Sequence, residues 1–203
     1  MHPYTTDCDK ARFIHLALVV LSIGFAFSLK SLQALGILQV PWWIDTPSVL
    51  GFYGLFYKLF DKYLWRIPLL RKFGLLKIPN LNGAWKGYVT SSFDEHSTKH
   101  EATLEINQTW RKLGIQFKTG SSVSNSLSAS ILTEKLNEVV LSYEYLNEPR
   151  SNAKYTMHMH RGTAWLILKN DGKTLEGEYY TGRGRQTHGA VSFERKGVSN
   201  HDF

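Results

Sequence analysis

The stretch Gly177 to Gly189, GEYYTGRGRQTHG, gathers two tyrosines, two threonines and two arginines among interspersed glycines. A tyrosine ring is a flat face on which a base stacks, worth ~1–3 kcal/mol per base, and its hydroxyl reads polar edges. Arginine presents a planar fork of donors that matches phosphate oxygens. Gly182, Gly184 and Gly189 let the backbone approach a ligand closely. A second stretch, SYEYLNEP at 142–149, adds Tyr143, Tyr145 and Asn147. Tyr143, Tyr145, Asn147, Tyr179, Thr181, Arg183 and Arg185 together have the chemistry to hold an anionic ligand with flat rings. The same residues also suit a filled interior, with tyrosine hydroxyls bonded to backbone and arginines solvated.

No catalytic constellation accompanies them. The serines within 121–130 have no paired histidine and aspartate. His158 and His160 fall on one face of a strand, read as the outer face, without a third metal ligand. The chain therefore reads as a non-enzyme, with no catalytic residue, no metal and no cofactor. Its single cysteine, Cys8, excludes an internal disulfide framework and favours a reducing compartment.

The elements that position the candidate residues are strands. After Pro79, alternating runs separated by turn residues predict eight: 81–91, 99–109, 112–119, 122–132, 138–146, 157–169, 174–181 and 188–196. Regular spacing without intervening helices predicts an all-β, eight-stranded up-and-down barrel, wide enough to be filled or to hold one small ligand. Parity turns Trp85, Leu104, Ile106, Leu113, Ile115 and Phe117 inward. It also turns Asn125, Leu127, Leu141, Tyr143, Tyr145, Leu175, Tyr179 and Phe193 inward, while Lys86, Glu105, Glu144, Glu176 and Glu178 face water. Turns at 110–112, 133–137 and 170–173 are short; the opposite rim carries longer loops with His96, Arg150, Lys154, Arg183, Arg185 and His188. Gly83-Ala84-Trp85 resembles the Gly-x-Trp element of lipocalins, whose tryptophan plugs the barrel floor beneath an arginine from the last strand. Arg195 has the matching position, so a cation–π lid is expected there.

Ahead of the barrel, Phe13 to Leu29 is a run of 17 residues without a formal charge, closed by Arg12 and Lys30. It reads as a membrane-spanning helix, because the sequence after it stays apolar where a cleaved leader would give way to a polar start. A second apolar block, Thr46 to Tyr57, continues into KLFDKYLW with Trp42, Trp43 and Trp65 at its ends and Pro47 at its start. It reads as a second crossing, with a re-entrant or interfacial segment as the alternative. Residues 58–80 carry Lys58, Lys62, Arg66, Arg71, Lys72 and Lys77 against Asp61 alone. That belt holds most of the net charge of +7, which argues against a polymeric nucleic acid as partner. It also predicts that both termini and the barrel are cytoplasmic, with residues 58–78 forming an amphipathic segment along anionic lipid or a plain basic linker.

Two membrane helices, a basic junction and a small barrel, with SYEYLNEP, LEGEYYTGRGRQTHGAVSFERK and Gly83-x-Trp85, resemble the membrane-anchored β-barrel effectors of CBASS anti-phage defence. The resemblance implies a two-helix transmembrane hairpin at 1–66, a linker at 67–79 and a cytoplasmic sensor barrel at 80–203. It implies that the open end of the barrel receives a cyclic dinucleotide as activating ligand, made by a partner CD-NTase. Self-association and disruption of the bacterial inner membrane would then follow. The residues alone leave a second reading open, a membrane-tethered lipocalin-like carrier or scaffold for an apolar ligand.

Overall fold

The computed structural model describes residues 1–7, 11–37, 49–133, 138–153, 157–169, 172–183 and 185–196. Cys8, Trp42, Trp43, Pro47, Lys154 and Gly184 lie outside them. The chain forms two compact units, Asp9–Leu76 and the combination of Met1–Cys8 with Lys77–Phe203.

The first unit is helical. Helix α1 (Ala11–Ala34) has 24 residues and a mean hydropathy of 2.0 over its most apolar stretch. At 1.5 Å per residue it is about 36 Å long, enough for a hydrocarbon core of ~30 Å. Helix α2 (Val49–Lys62) has 14 residues, about 21 Å, less than a full crossing. Spacing by threes and fours puts His15, Leu18, Ser22 and Phe25 on one face of α1. From that face His15 Nδ1 shares a 2.8 Å hydrogen bond with the Tyr53 hydroxyl, and Phe25 meets Phe52 edge-on at 4.8 Å. The buried Ser22 hydroxyl donates to the Leu18 carbonyl at 2.6 Å, so it needs no water. A 3-10 turn, Leu64–Arg66, and the short helix α3 (Pro68–Lys72) follow, with proline in the first turn where its missing N–H is harmless.

The second unit is a closed barrel. Strands β1 (His2–Pro3) and β2 (Thr5–Thr6) precede the eight that form its wall. These are β3 (Gly83–Val89), β4 (His100–Gln108), β5 (Lys112–Thr119) and β6 (Ser122–Leu132), then β7 (Val139–Pro149), β8 (His160–Leu168), β9 (Thr174–Thr181) and β10 (His188–Arg195). Each wall strand pairs antiparallel with its sequence neighbour, and β10 returns to β3. All eight predicted strands are present; β7 runs on to Pro149, and β8 begins only at His160.

The floor is locked by polar groups around an aromatic plug. Gly83 opens β3 at φ 121°, a conformation that favours glycine. Trp85 is fully buried and donates from Nε1 to the Leu81 carbonyl at 3.0 Å. The Arg195 guanidinium lies 4.5 Å from the Trp85 ring centroid and donates to the Asn80 carbonyl. This is the expected lid. Beside it the buried Gln108 side chain accepts from Leu81 N–H at 2.8 Å and donates to the Pro79 carbonyl at 3.1 Å. Leu104, Leu113, Leu141, Leu166, Leu175 and Phe193 fill the layer above.

One strand departs from simple alternation. The β6–β7 register shifts between Ser126 and Ser128. The bulge reverses the side-chain parity of the rim half of β6. Ser122 and Ser124 are therefore buried, while Asn125 is exposed and Leu127 is 43% exposed. The inward positions expected for Asn125 and Leu127 are corrected accordingly.

Candidate functional site

The rim end of the barrel holds a cavity of about 260 Å³. Its wall follows a size pattern across three strands. Tyr143 of β7 faces Ala164 of β8, which faces Tyr179 of β9; one level higher Tyr145 faces Gly162, which faces Thr181. Small residues on β8 make room for the flanking rings, and the Tyr145 ring covers Gly162. A Cβ on Gly162 would run into the Tyr145 hydroxyl, so glycine there sets the pose of the ring. Val89, Phe117 and Val191 complete the apolar depth.

Above the tyrosines lies a polar row, Ser124–Asn147–His160, aligned across β6, β7 and β8. The Ser124 hydroxyl donates to Asn147 Oδ1 at 2.7 Å, and Asn147 Nδ2 donates to Met157 Sδ at 3.2 Å. Sulfur is a weak acceptor, so the carboxamide keeps donor capacity for an oxygen or ring nitrogen. The His160 ring shares a 2.8 Å contact from Nδ1 with the His158 carbonyl and lines the cavity. The outer face expected for His160 is thus corrected: β8 starts at this residue, and its parity matches the inward Gly162 and Ala164. Desolvation holds its pKa below the ordinary value; the His158 carbonyl opposes this, and the positive Arg185 reinforces it.

At the mouth, Arg185 is half-buried with its guanidinium 5.1 Å from the centroid of the Phe93 ring. The loop that carries it is pinned at its base. The Thr181 hydroxyl donates to the Thr187 carbonyl at 3.1 Å and accepts from Thr187 N–H at 2.8 Å. Within the loop Arg185 N–H bonds the Gly182 carbonyl at 3.1 Å.

Six of the seven sequence candidates, Tyr143, Tyr145, Asn147, Tyr179, Thr181 and Arg185, line this one cavity. Arg183 is exposed on the same loop and is outside the lining. Of the other rim residues, Arg150 is exposed, and the His96 and His188 rings lie 5.5 Å apart. Sequence reasoning missed Phe93, Ser122, Ser124 and Met157 as lining residues. For the serines the signal was hidden by the bulge; Phe93 and Met157 sit in loops where parity says nothing.

Tyr143 and Tyr145 are buried, with rings 6.1 Å apart. Burial raises both phenol pKa values; for Tyr145 the neighbouring Tyr143 and Tyr179 add to the rise and Arg185 opposes it. Both hydroxyls therefore stay neutral and can donate. Among the described residues neither has a hydrogen-bond partner, so their donors are available to a guest. Also among the described residues, no group of three His, Cys, Asp or Glu side chains could hold a metal ion. The arrangement is a pocket with flat faces and neutral donors and, among the described residues of its lining, one arginine at its mouth.

Comparison with known proteins places this architecture. Residues 76–195 match the family model described as Cap15, cyclic dinucleotide receptor domain, and residues 12–66 match Cap15, TM helices. CD-NTase-associated protein 15 of Yersinia aleksiciae is 38% identical over 147 residues, covering 71% of this chain and 68% of that protein. A protein of the same name from Staphylococcus schleiferi is 27% identical over 141 residues, covering 69% of this chain and 74% of that protein. With its barrel matched to the receptor domain and its helical unit to the membrane helices, the chain belongs to the CBASS-associated Cap15 family.

Proposed function

We propose that the cavity binds a cyclic dinucleotide, that binding drives self-association of the chain, and that the associated helices disrupt a bacterial inner membrane in antiviral defence. The observation that carries this reading is the convergence of unpartnered Tyr143 and Tyr145 hydroxyls with Arg185 in one cavity of the receptor-matched unit. A base enters the pocket between Tyr145 and Tyr179, and its polar edge meets Asn147. The phosphates stay at the mouth beside Arg185, with Arg183 within the same loop. At about 260 Å³ the cavity is below the ~300–1,000 Å³ of sites that enclose a drug-sized molecule. The second nucleoside therefore remains at the rim, against Phe93. Ligand can shift a monomer–oligomer equilibrium only by binding the oligomer more tightly, and a half-exposed ligand offers a surface that a second barrel can contact.

The chain is placed in the inner membrane with two crossings and with both termini and the barrel cytoplasmic. The basic residues from Lys58 to Lys77 support that orientation. No catalytic step, cofactor or nucleic-acid polymer is assigned to it. An apolar ligand, as a carrier would take, suits the cavity floor but offers no acceptor to the Asn147 amide, whose one partner as a donor among the described residues is the weak acceptor Met157 Sδ, and no counter-charge to Arg185.

The test is expression in a bacterial host with and without a cyclic dinucleotide synthase, following membrane potential and chemical crosslinking of the chain. Ligand-dependent depolarisation and higher-order crosslinks are expected for the native chain. The double change Arg183→Ala and Arg185→Ala should abolish both while the chain stays folded in the membrane; tolerance of that change would favour the carrier.

A further inference from the structure

The barrel wall is not uniformly closed. Only Gln116–Asn125, Phe117–Ser124 and Lys118–Val123 pair β5 with β6, all in the rim half. Towards the floor the two strands separate, and the gap is filled by residues from the other end of the chain. His2 and Pro3 pair antiparallel with Leu113 and Lys112 of β5. Thr5 and Thr6 pair parallel with Ser130 and Ile131 of β6. Side chains fix this segment at both edges: the Tyr4 hydroxyl donates to the Trp110 carbonyl at 2.8 Å, and Asp7 Oδ1 accepts from Thr133 N–H at 2.8 Å. Between them His2 Nε2 lies 2.8 Å from the Ser126 hydroxyl, which itself accepts from Ile115 N–H at 2.9 Å. Gly114 leaves room for Met1, which a Cβ would press upon.

We infer that the split between β5 and β6 is a strand-acceptor groove whose occupant is the chain's own segment Met1–Asp7. Separated strands expose unpaired backbone donors and acceptors, and an added strand satisfies them. The groove has one further property. The rim half of the same two strands carries Phe117, Thr119, Ser122 and Ser124 in the cavity lining. The seat of Met1–Asp7 therefore extends the two strands that border the candidate ligand. Covalently, Asp7 leads within a few residues to α1, and the chain returns to the barrel at Lys77. The helical unit is thus joined covalently to the receptor unit at both of its ends.

The experiment uses the full-length chain in isolated membranes. Cys8 is replaced by serine and a cysteine pair is introduced by Pro3→Cys with Lys112→Cys, positions that are register partners. Facing residues of an antiparallel pair lie ~4.5–5.5 Å apart at Cα, within reach of a disulfide. Mild oxidation should give an intrachain disulfide in most molecules, and Pro3→Cys with Glu178→Cys on β9 should give none above background. A disulfide between two chains would overturn the assignment of the occupant, since a second copy would then fill the groove. No disulfide above the control would overturn the seat itself. A second measurement is independent of cysteine chemistry. With Tyr4→Ala and Asp7→Ala together, amides of 112–115 and 130–133 should exchange with deuterium at least tenfold faster, while those of β8 and β9 keep their protection. Unchanged exchange at 112–115 would contradict the groove. Neither readout depends on a nucleotide, so failure here and failure of the ligand reading are separable.

Discussion

Arg185 lies over Phe93 across the mouth of the cavity, with 5.1 Å from guanidinium to ring centroid. The two residues come from different rim loops, and the ring holds the cation where an incoming phosphate would meet it. A charge-assisted hydrogen bond contributes ~1.5–3 kcal/mol, so Arg185→Ala should weaken cyclic dinucleotide binding by roughly ten- to hundredfold. The cation–π contact contributes ~0.5–1 kcal/mol at an exposed site, so Phe93→Ala should weaken it severalfold unless the ring also stacks a base. Isothermal titration of the full chain in detergent measures both.

The Tyr143 and Tyr145 hydroxyls have no hydrogen-bond partner among the described residues. Removing an unpaired hydroxyl leaves no partner unsatisfied behind. Tyr143→Phe and Tyr145→Phe should therefore leave the thermal midpoint of the free protein unchanged or slightly raised. Each should nonetheless reduce the ligand-induced rise in that midpoint. A loss of stability in the free protein would show that the hydroxyls are structural.

Gly162→Val tests the pocket from its back wall. The new side chain displaces the Tyr145 ring from its place over residue 162. Its Cβ would also meet the Tyr180 backbone carbonyl, so the barrel should lose more than the ~1–3 kcal/mol of ordinary overpacking, and ligand binding should fall by more than Tyr145→Phe lowers it. Circular dichroism and titration on the same sample separate the two effects.

His160 gives a pH dependence of defined sign. Its folded pKa is lowered, so protonation favours the unfolded chain. The stability this group contributes is present above its unfolded value, near 6.5, and is lost as pH falls through the lowered folded value. Thermal melts from pH 8 to 5 should show this loss, and His160→Gln should remove part of it. An anionic ligand at the mouth opposes that lowering, so binding below pH 6.5, the ordinary value, should be accompanied by proton uptake. Titrations in buffers of different ionisation enthalpy measure that uptake.

The barrel was legible because its strands obey period two and its floor uses a recognisable pair. Trp85 and Arg195 could be matched from sequence, since each lies at the end of a regular strand and the lid needs only their parity. Tyr143, Tyr145 and Tyr179 were legible for the same reason. Parity failed on β6, where one extra residue between Ser126 and Ser128 turned Ser124 inward and Asn125 outward; nothing in a serine-rich run marks where a bulge falls. His160 was misplaced because its strand was expected from residue 157 and begins only at His160, and parity had fixed no inner face for it. The segment Met1–Asp7 carried no strand signal, because pairs of two residues are set by the edge they join and not by their own pattern.

The central claim is tested most directly by titrating the purified full-length chain, in detergent, with a panel of cyclic dinucleotides while following thermal unfolding. At least one member should raise the midpoint of the native chain in a saturable way. A ligand at 100 times its dissociation constant adds about 2.7 kcal/mol. The rise should be largely lost in Arg185→Ala. No rise with any member at concentrations well above micromolar, or an undiminished rise in Arg185→Ala, would contradict it.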